Sequence, residues 1–161
     1  MKHVFWVYEN ALAGRPGPGM NPWNISDLKV GGVDMILSVA SDLFPHSDAA
    51  LNGVLRTCIP LPDCAPPDDY TVRVCRASLP LTLEIIRSSI GEGRTVLVHC
   101  FGGCDRTGLV LSYYIAWRER IEPVDAIARL RTVRPNALST SGWEQMALEL
   151  LPELIHEARE L

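Results

Sequence analysis

Residues 96–108, with the sequence VLVHCFGGCDRTG, run from an apolar segment into a loop of glycines, cysteines, an aspartate and an arginine. The apolar half is typical of a strand that is buried on both faces, and Thr107-Gly108 begins a predicted helix. The loop thus follows the carboxyl end of a strand, where α/β folds bind their ligands. It can be interpreted as a phosphate-binding catalytic loop, a metal clip or a glycine-rich turn.

The catalytic interpretation depends on Cys100 and Arg106, which stand at the two ends of the loop. Gly102 and Gly103 allow the backbone to turn its N–H groups inward, and the following helix presents its positive end to the same place. Both effects stabilise a thiolate at Cys100, and the guanidinium of Arg106 can bind two phosphoryl oxygens at once. The spacing of the two residues is weak support by itself, so the flanking strand and helix carry the prediction.

Two other interpretations compete with this one. A zinc site built from His99, Cys100 and Cys104 lacks a fourth ligand and leaves Arg106 without a role. A glycine turn around a buried cysteine is the remaining alternative, since free cysteine is often simply a core residue. We therefore expect neither a metal nor a cofactor at this loop.

The order of predicted elements outside the loop indicates an α/β fold with a central, mostly parallel sheet of about five strands flanked by helices. Residues 13–22 (AGRPGPGMNP) are predicted as a turn, and residues 70–78 are ambiguous. No repeat or long linker divides the chain, so residues 1–161 are expected to form one domain. Strands are predicted at 3–9, 33–40, 53–61 and 94–100, and helices at 23–32, 79–93, 106–120, 123–133 and 140–160.

Helix boundaries are predicted from prolines and capping residues. Pro80 fits the first turn of the helix at 79–93. Ser141 and Glu144 have the spacing of a capping box at the start of the last helix. Pro152 is expected to kink or split that helix.

Composition limits the classes of function. The net charge of −4, from 15 basic and 19 acidic residues, argues against a nucleic-acid binder. The apolar run near the N-terminus is too brief for a signal peptide, and other apolar runs are too short to span a membrane. Five cysteines with no scaffold spacing indicate reduced thiols. We expect a cytoplasmic monomer without membrane insertion.

The loop also carries a family resemblance. His99-Cys100-x-x-Gly103-x-x-Arg106-Thr107-Gly108 matches the signature of the cysteine-dependent protein tyrosine phosphatase superfamily at every fixed position. Segments LAGRPGP, IPLPD and RLRTVRPNALST with WEQ beyond it are similar to the compact atypical dual-specificity phosphatases. The resemblance covers nearly the whole chain and implies a dual-specificity phosphatase-like fold.

The resemblance also implies roles for individual residues. Cys100 would be the nucleophile, Arg106 the phosphate clamp and Asp63 the general acid that later activates water. The phosphocysteine formed in the first step would be hydrolysed in the second, without metal. The substrate-binding loop would consist of Phe101, Gly102, Gly103, Cys104, Asp105 and Arg106. His99 would order this loop, the Thr107 hydroxyl would stabilise the thiolate as it leaves, and Gln145 would help to place the hydrolytic water.

Several alternatives stay open. The segment between Asp63 and Cys100 is longer than in the compact members, so residues 68–77 are expected to form a small flap, and Asp68 and Asp69 are rival acids. Arg15, Arg131 and Arg134 could rim the pocket, but solvent-facing arginines are the commoner outcome.

Two residues of the loop bear on redox behaviour and substrate. Cys104 fits a small loop filler better than a redox partner of Cys100. Asp105 before the arginine occurs in several phosphoinositide or inositol-phosphate enzymes, but the loop lacks their lysines, and Asp105 could instead hydrogen-bond locally. A phosphoprotein substrate therefore comes first and a phosphoinositide second.

Two further classes complete the hypotheses. A phosphopeptide-binding pseudophosphatase usually lacks one of the three residues that this chain retains. A sulfur-transfer or arsenate-reducing enzyme can also place a cysteine in an anion loop, but the segment around Asp63 and the Arg-Thr-Gly ending argue against it.

Overall fold

The computed structural model describes residues 1–41 and 52–161. Its strands are β1 Phe5–Tyr8, β2 Leu12–Arg15, β3 Met35–Ser38, β4 Leu55–Cys58 and β5 Val96–His99. Its helices are α1 Ile25–Val30, α2 Asp69–Gly91, α3 Asp105–Glu119, α4 Pro123–Arg131 and α5 Trp143–Glu160. Within these ranges, no helix combines the length and apolar character that crossing a bilayer requires.

The five strands form one sheet in the order β1-β2-β5-β3-β4. β1 runs antiparallel to β2, and the other pairs are parallel. The predicted α/β class with a mostly parallel sheet is confirmed. The register places Arg15 and Ser38 on either side of His99 at the carboxyl edge of the sheet. This edge is where the loop with Cys100 begins.

Side chains of the central strands alternate between two cores, as the two-residue period of a strand requires. On β5, Val96 and Val98 join the large core that α2 to α5 cover, whereas Leu97 joins the small core under α1. On β3, Leu37 and Ile36 divide in the same way. A sheet covered on both faces accounts for the unbroken apolar run before the loop.

β2 is a strand that the sequence did not reveal. Its residues fall largely in the segment predicted as a turn, because Ala13 and Gly14 have low strand propensity. All four β2 residues are nevertheless buried between β1 and β5. A Cβ at Gly14 would lie 2.3 Å from a ring carbon of Phe5, so a larger residue there would displace that ring.

Helix α2 corrects two expectations. Residues 68–77 form no flap, since the helix begins at Asp69 and Pro80 lies inside it instead of in its first turn. The side chain of Asp68 caps the helix by accepting a hydrogen bond from the Thr71 amide at 2.8 Å. Burial of one helical stripe favours this longer helix over the predicted helix that begins at residue 79. The stripe consists of Thr71, Cys75, Leu79, Leu83 and Ile86.

Helix α5 also differs from its prediction. It is one helix through Pro152, so of the expected kink or split, the split is wrong. Gly142 is its N-cap and no side chain caps it, so the Ser141–Glu144 capping box is wrong. The Glu144 carboxylate instead forms two hydrogen bonds with the guanidinium of Arg131, at 3.0 and 3.2 Å. Glu144 thus forms an ion pair between α4 and α5 and does not cap α5.

Candidate active site

The loop that follows β5 holds its backbone carbonyls turned outward. The Cys100 carbonyl accepts a hydrogen bond from His99 Nδ1 at 3.1 Å, and the Phe101 carbonyl accepts one from the Gly17 amide at 2.8 Å. Arg134 donates to the next two carbonyls along the loop, and the Leu138 amide donates to the Cys104 carbonyl at 3.1 Å. Because a trans peptide places its N–H opposite its C=O, this arrangement turns successive N–H groups inward.

One of these inward N–H groups contacts the candidate nucleophile directly. The Gly103 amide donates to Cys100 Sγ at 3.2 Å. Gly103 has φ +66°, and a Cβ there would lie 2.7 Å from the Pro16 nitrogen. Only glycine satisfies both the left-handed backbone and this close approach. The loop therefore forms an anion cradle with a buried thiol at its floor.

His99 is fixed from both sides of its ring. A carbonyl oxygen can only accept, so the contact with the Cys100 carbonyl assigns a proton to Nδ1. Nε2 lies 2.6 Å from Ser38 Oγ, which also accepts from Arg56 Nε at 3.2 Å. Both ring nitrogens are thus engaged within the fold, which makes His99 a poor metal ligand.

A cavity of about 220 Å³ opens above Cys100. Arg106 is the cation among its described lining residues, and Asp63 is the carboxylate. The guanidinium of Arg106 is buried and donates to the Leu61 carbonyl at 3.4 Å. The other lining residues are Gly17, Pro18, Gly19, Ala40, Ser41, Cys100 and Phe101. The candidate nucleophile, clamp and acid therefore face one space.

The segment that carries Asp63 is anchored on both sides. Arg106 holds the carbonyl of Leu61, two residues before it, and Trp143 Nε1 donates to the Cys64 carbonyl just after it at 3.1 Å. The side chain of Asp63 itself is exposed at the cavity. By contrast, Asp68 caps α2, and its hydrogen bond from the Thr71 amide lowers the pKa of that carboxyl. Asp63 lines the cavity and Asp68 does not.

The two remaining polar positions of the loop make local contacts. Cys104 Sγ lies 3.4 Å from the Gly102 carbonyl, and burial raises the pKa of this thiol against the opposing charge of Arg134. The Asp105 carboxylate accepts from the Thr140 amide at 3.2 Å, so it ties the loop to the start of α5. Both contacts fit structural roles for these side chains.

The supporting residues named from the resemblance lie at different depths. The Thr107 hydroxyl is buried and has no hydrogen-bond partner within residues 1–41 and 52–161, so it is available to a thiolate. Gln145 is exposed, donates to Glu149 at 3.0 Å and lines a neighbouring hollow instead of the cavity above Cys100.

Burial raises the pKa of Cys75 to about 12, so this thiol stays protonated.

None of the three candidate rim arginines lines the cavity. Arg15 is buried and donates to backbone carbonyls that include those of Pro16 and Asn21. Arg131 pairs with Glu144. Arg134 holds the outer face of the loop. The sequence did not predict the hydrogen bonds of Arg134 to the loop or of Trp143 to the Cys64 carbonyl, because the bonded residues are far apart in sequence. The available signals were the motifs RPGPG at 15–19 and RP at 134–135, which lie in segments that contact the loop.

Comparison with known proteins places this geometry in a family context. The family described as "Dual specificity phosphatase, catalytic domain" matches residues 24–149. Dual specificity protein phosphatase 12 of Rattus norvegicus is 28% identical over 130 residues, covering 81% of this chain and 36% of the relative. A second relative, protein tyrosine phosphatase domain-containing protein 1 of Mus musculus, is 34% identical over 46% of this chain and 10% of its own length. The chain thus spans about a third or less of these relatives.

Solved structures share the fold at low sequence identity. The active form of Tk-PTP has a TM-score of 0.77 at 22% identity, covering 96% of this chain and 97% of that one. PTPMT1 in complex with PI(5)P has a TM-score of 0.76 at 14% identity, covering 98% and 99%. At these identities the similarity establishes the fold and leaves the substrate open.

Proposed function

Because this chain belongs to the dual specificity phosphatase catalytic-domain family, we propose that it is a cysteine-dependent phosphatase that forms a phosphocysteine at Cys100. The observation that supports this most is the shared cavity of Cys100, Arg106 and Asp63. A nucleophile, a phosphate clamp and a proton donor around one space are the components that phosphate monoester hydrolysis requires.

The first step is an attack of the Cys100 thiolate on phosphorus. The S–P bond forms as the bond to the leaving oxygen breaks, and the carboxyl of Asp63 donates a proton to that oxygen. Inward N–H groups of the loop and the guanidinium of Arg106 stabilise the charge on the equatorial oxygens. In the second step, the Asp63 carboxylate takes a proton from water, which attacks phosphorus and returns the electron pair to sulfur. The unpartnered hydroxyl of Thr107 is available to stabilise that leaving thiolate.

We propose phosphorylated protein side chains as the substrate class. Among the described residues that line the cavity, Arg106 is the one cation, which suits a single phosphoryl group. Apart from Asp63, the other described lining residues are uncharged and partly apolar, with Phe101 56% exposed. The two lysines of the chain, Lys2 and Lys29, do not line the cavity, and residues 42–51 contain neither lysine nor arginine. An inositol ring with several phosphates would have too few cations to bind.

The second candidate is a phosphoinositide or inositol phosphate. PTPMT1, which shares the fold, was solved in complex with PI(5)P. The contact of Asp105 with the Thr140 amide argues against a dedicated role of that carboxylate in recognising an inositol ring.

A panel of substrates distinguishes the two candidates. Phosphate release is measured with phosphotyrosine, phosphoserine and phosphothreonine peptides, with phosphoinositides in micelles, and with soluble inositol phosphates. We expect the kcat/KM of at least one peptide substrate class to exceed that of every inositol substrate by about tenfold or more, because the single guanidinium of Arg106 can bind one phosphoryl dianion. Faster release from any phosphoinositide would reverse the ranking. Binding of peptides without turnover would indicate a pseudophosphatase.

Replacement of Asp63 by asparagine tests the identity of the acid. We expect kcat/KM, which reports formation of the phosphocysteine, to fall about 100-fold with an alkyl phosphate, whose leaving group needs a proton, and much less with a nitrophenyl phosphate. Asp68→Asn is the matched control and should slow neither substrate, since that residue caps α2. Equal losses in both variants, or a loss only in Asp68→Asn, would remove Asp63 from the acid role.

A further inference from the structure

We propose that Arg134 is a positioning residue that makes Cys100 reactive by holding the outer face of the loop. The inference deepens the proposed function and rests on it. Arg134 does not line the cavity and cannot touch a phosphoryl group there. It acts through the backbone, on the peptide units whose other edge forms the anion cradle.

A single peptide unit connects Arg134 to the nucleophile. The carbonyl of Gly102 accepts from Arg134 Nη2 at 2.7 Å. The N–H of the same peptide unit, on Gly103, donates to Cys100 Sγ at 3.2 Å. The positive charge of the guanidinium therefore polarises this peptide unit through its carbonyl oxygen. The N–H at the other end of the unit then stabilises negative charge on sulfur more strongly. The two contacts fix the direction of that dipole.

The next peptide unit is held in the same way. Arg134 Nε donates to the Gly103 carbonyl at 3.1 Å, which turns the following N–H toward the cradle. Among the groups that hold the outward carbonyls, Arg134 is the charged one, and it holds two neighbours at once. Glycine carbonyls need this restraint because Gly102 and Gly103 have the widest choice of backbone conformations. Two nitrogens of the planar Arg134 guanidinium restrain both carbonyls at once, whereas the ammonium of a lysine lacks this fixed two-donor geometry.

Arg134 is itself held in place by packing. Its guanidinium carbon lies 5.2 Å from the centre of the Phe5 ring on β1, and Arg134 stands three residues after the last residue of α4. The Leu138 and Thr140 amides, from the same stretch of chain, bond the Cys104 carbonyl and the Asp105 carboxylate. Residues 134–140 thus brace the loop from outside, and Arg134 supplies the charge.

Arg129 offers a matched control. It lies on α4, donates to the backbone carbonyl of Val7 at 3.3 Å and stacks on the Tyr8 ring at 4.7 Å. Like Arg134, Arg129 combines a backbone carbonyl contact with an aromatic contact on β1, and it also pairs with Glu119 at 2.7 Å, but none of these contacts touches the loop. Loss of Arg129 therefore reports the structural cost of removing such an arginine.

The experiment compares Arg134→Gln, Arg134→Lys and Arg129→Gln with the wild-type protein. Alkylation of Cys100 by iodoacetamide is followed across pH by peptide mass mapping, and inorganic phosphate is titrated as a protecting ligand. Arg134→Gln should raise the pH midpoint of alkylation by about one unit and weaken phosphate protection about tenfold. Arg134→Lys should fall between it and the wild type, and Arg129→Gln should match the wild type.

The other ionisable groups around the thiol are Asp63, His99, Cys104, Asp105 and Arg106, and none of them is substituted in any variant. The charge of Arg134 also acts on the pKa of Cys104, which it contacts at 3.5 Å, so fragment spectra assign alkylation to Cys100 and to Cys104 separately.

An unchanged midpoint in folded Arg134→Gln, whatever its unfolding temperature, would overturn the proposal. If that variant does not fold, Arg134→Lys decides alone, since a midpoint equal to that of the wild type would overturn it as well. Alkylation requires no turnover, so it is independent of the proposed activity. That activity would fail separately, through absence of phosphate release by the wild-type protein.

Discussion

Replacing Cys100 by serine is expected to abolish phosphate release. The serine hydroxyl occupies the same floor of the cradle, but a hydroxyl is far less acidic and less nucleophilic than a thiol, and no other side chain among the described residues that line the cavity is a comparable nucleophile. We expect kcat to fall by at least about 1,000-fold with a nitrophenyl phosphate. Initial rates with a continuous absorbance assay measure this loss.

The Cys100→Ser protein should retain phosphate binding. The inward N–H groups and the guanidinium of Arg106 do not depend on sulfur, so inorganic phosphate should bind within about threefold of the wild-type affinity. Calorimetric titration provides the control for folding. Turnover close to that of the wild type in Cys100→Ser would exclude covalent catalysis at this residue.

Replacing Arg106 by lysine is expected to have the second-largest effect. Arginine can donate two parallel hydrogen bonds to phosphoryl oxygens, whereas lysine offers one compact charge on a flexible chain. Lysine would also lose the present contact with the Leu61 carbonyl, which helps to hold the Asp63 segment. We expect kcat/KM to fall about 1,000-fold, mostly in kcat, because the clamp acts on charge that grows in the transition state.

Separate measurement of kcat and KM checks this expectation. The Arg76→Lys variant is a suitable control, because Arg76 is an exposed residue of α2 that pairs with Glu153. It should leave both kinetic constants close to those of the wild type. A loss in Arg106→Lys that appears only in KM would reduce Arg106 to a ground-state binding residue.

The sequence predicted the parts of this site that depend on local pattern. A buried strand, two glycines and a helix start are recognisable within residues 96–108, and the structure places Cys100 and Arg106 accordingly. Asp63 was identified from a short motif, and its position on the cavity wall is compatible with the assigned role. In each case the information lies within a few residues of the chain.

Features that depend on tertiary packing could not be predicted in the same way. β2 has weak strand propensity and is stabilised by its two neighbours in the sheet. Helix α2 continues through Pro80 because one buried stripe extends on both sides of that residue. The contacts of Arg134 with the loop join residues 31 and 32 positions apart. Sequence spacing contains no signal for such pairings.

Direct detection of the covalent intermediate is the decisive measurement for the mechanism. The protein is mixed with a nitrophenyl phosphate, quenched in acid during the first turnovers, digested with trypsin and analysed by fragmentation mass spectrometry. The peptide covering residues 95–106 should carry a phosphoryl group on Cys100, and more of it in Asp63→Asn, which lacks the base for the second step. Steady turnover with no phosphoryl group on Cys100, or with the group on another residue, would contradict the mechanism.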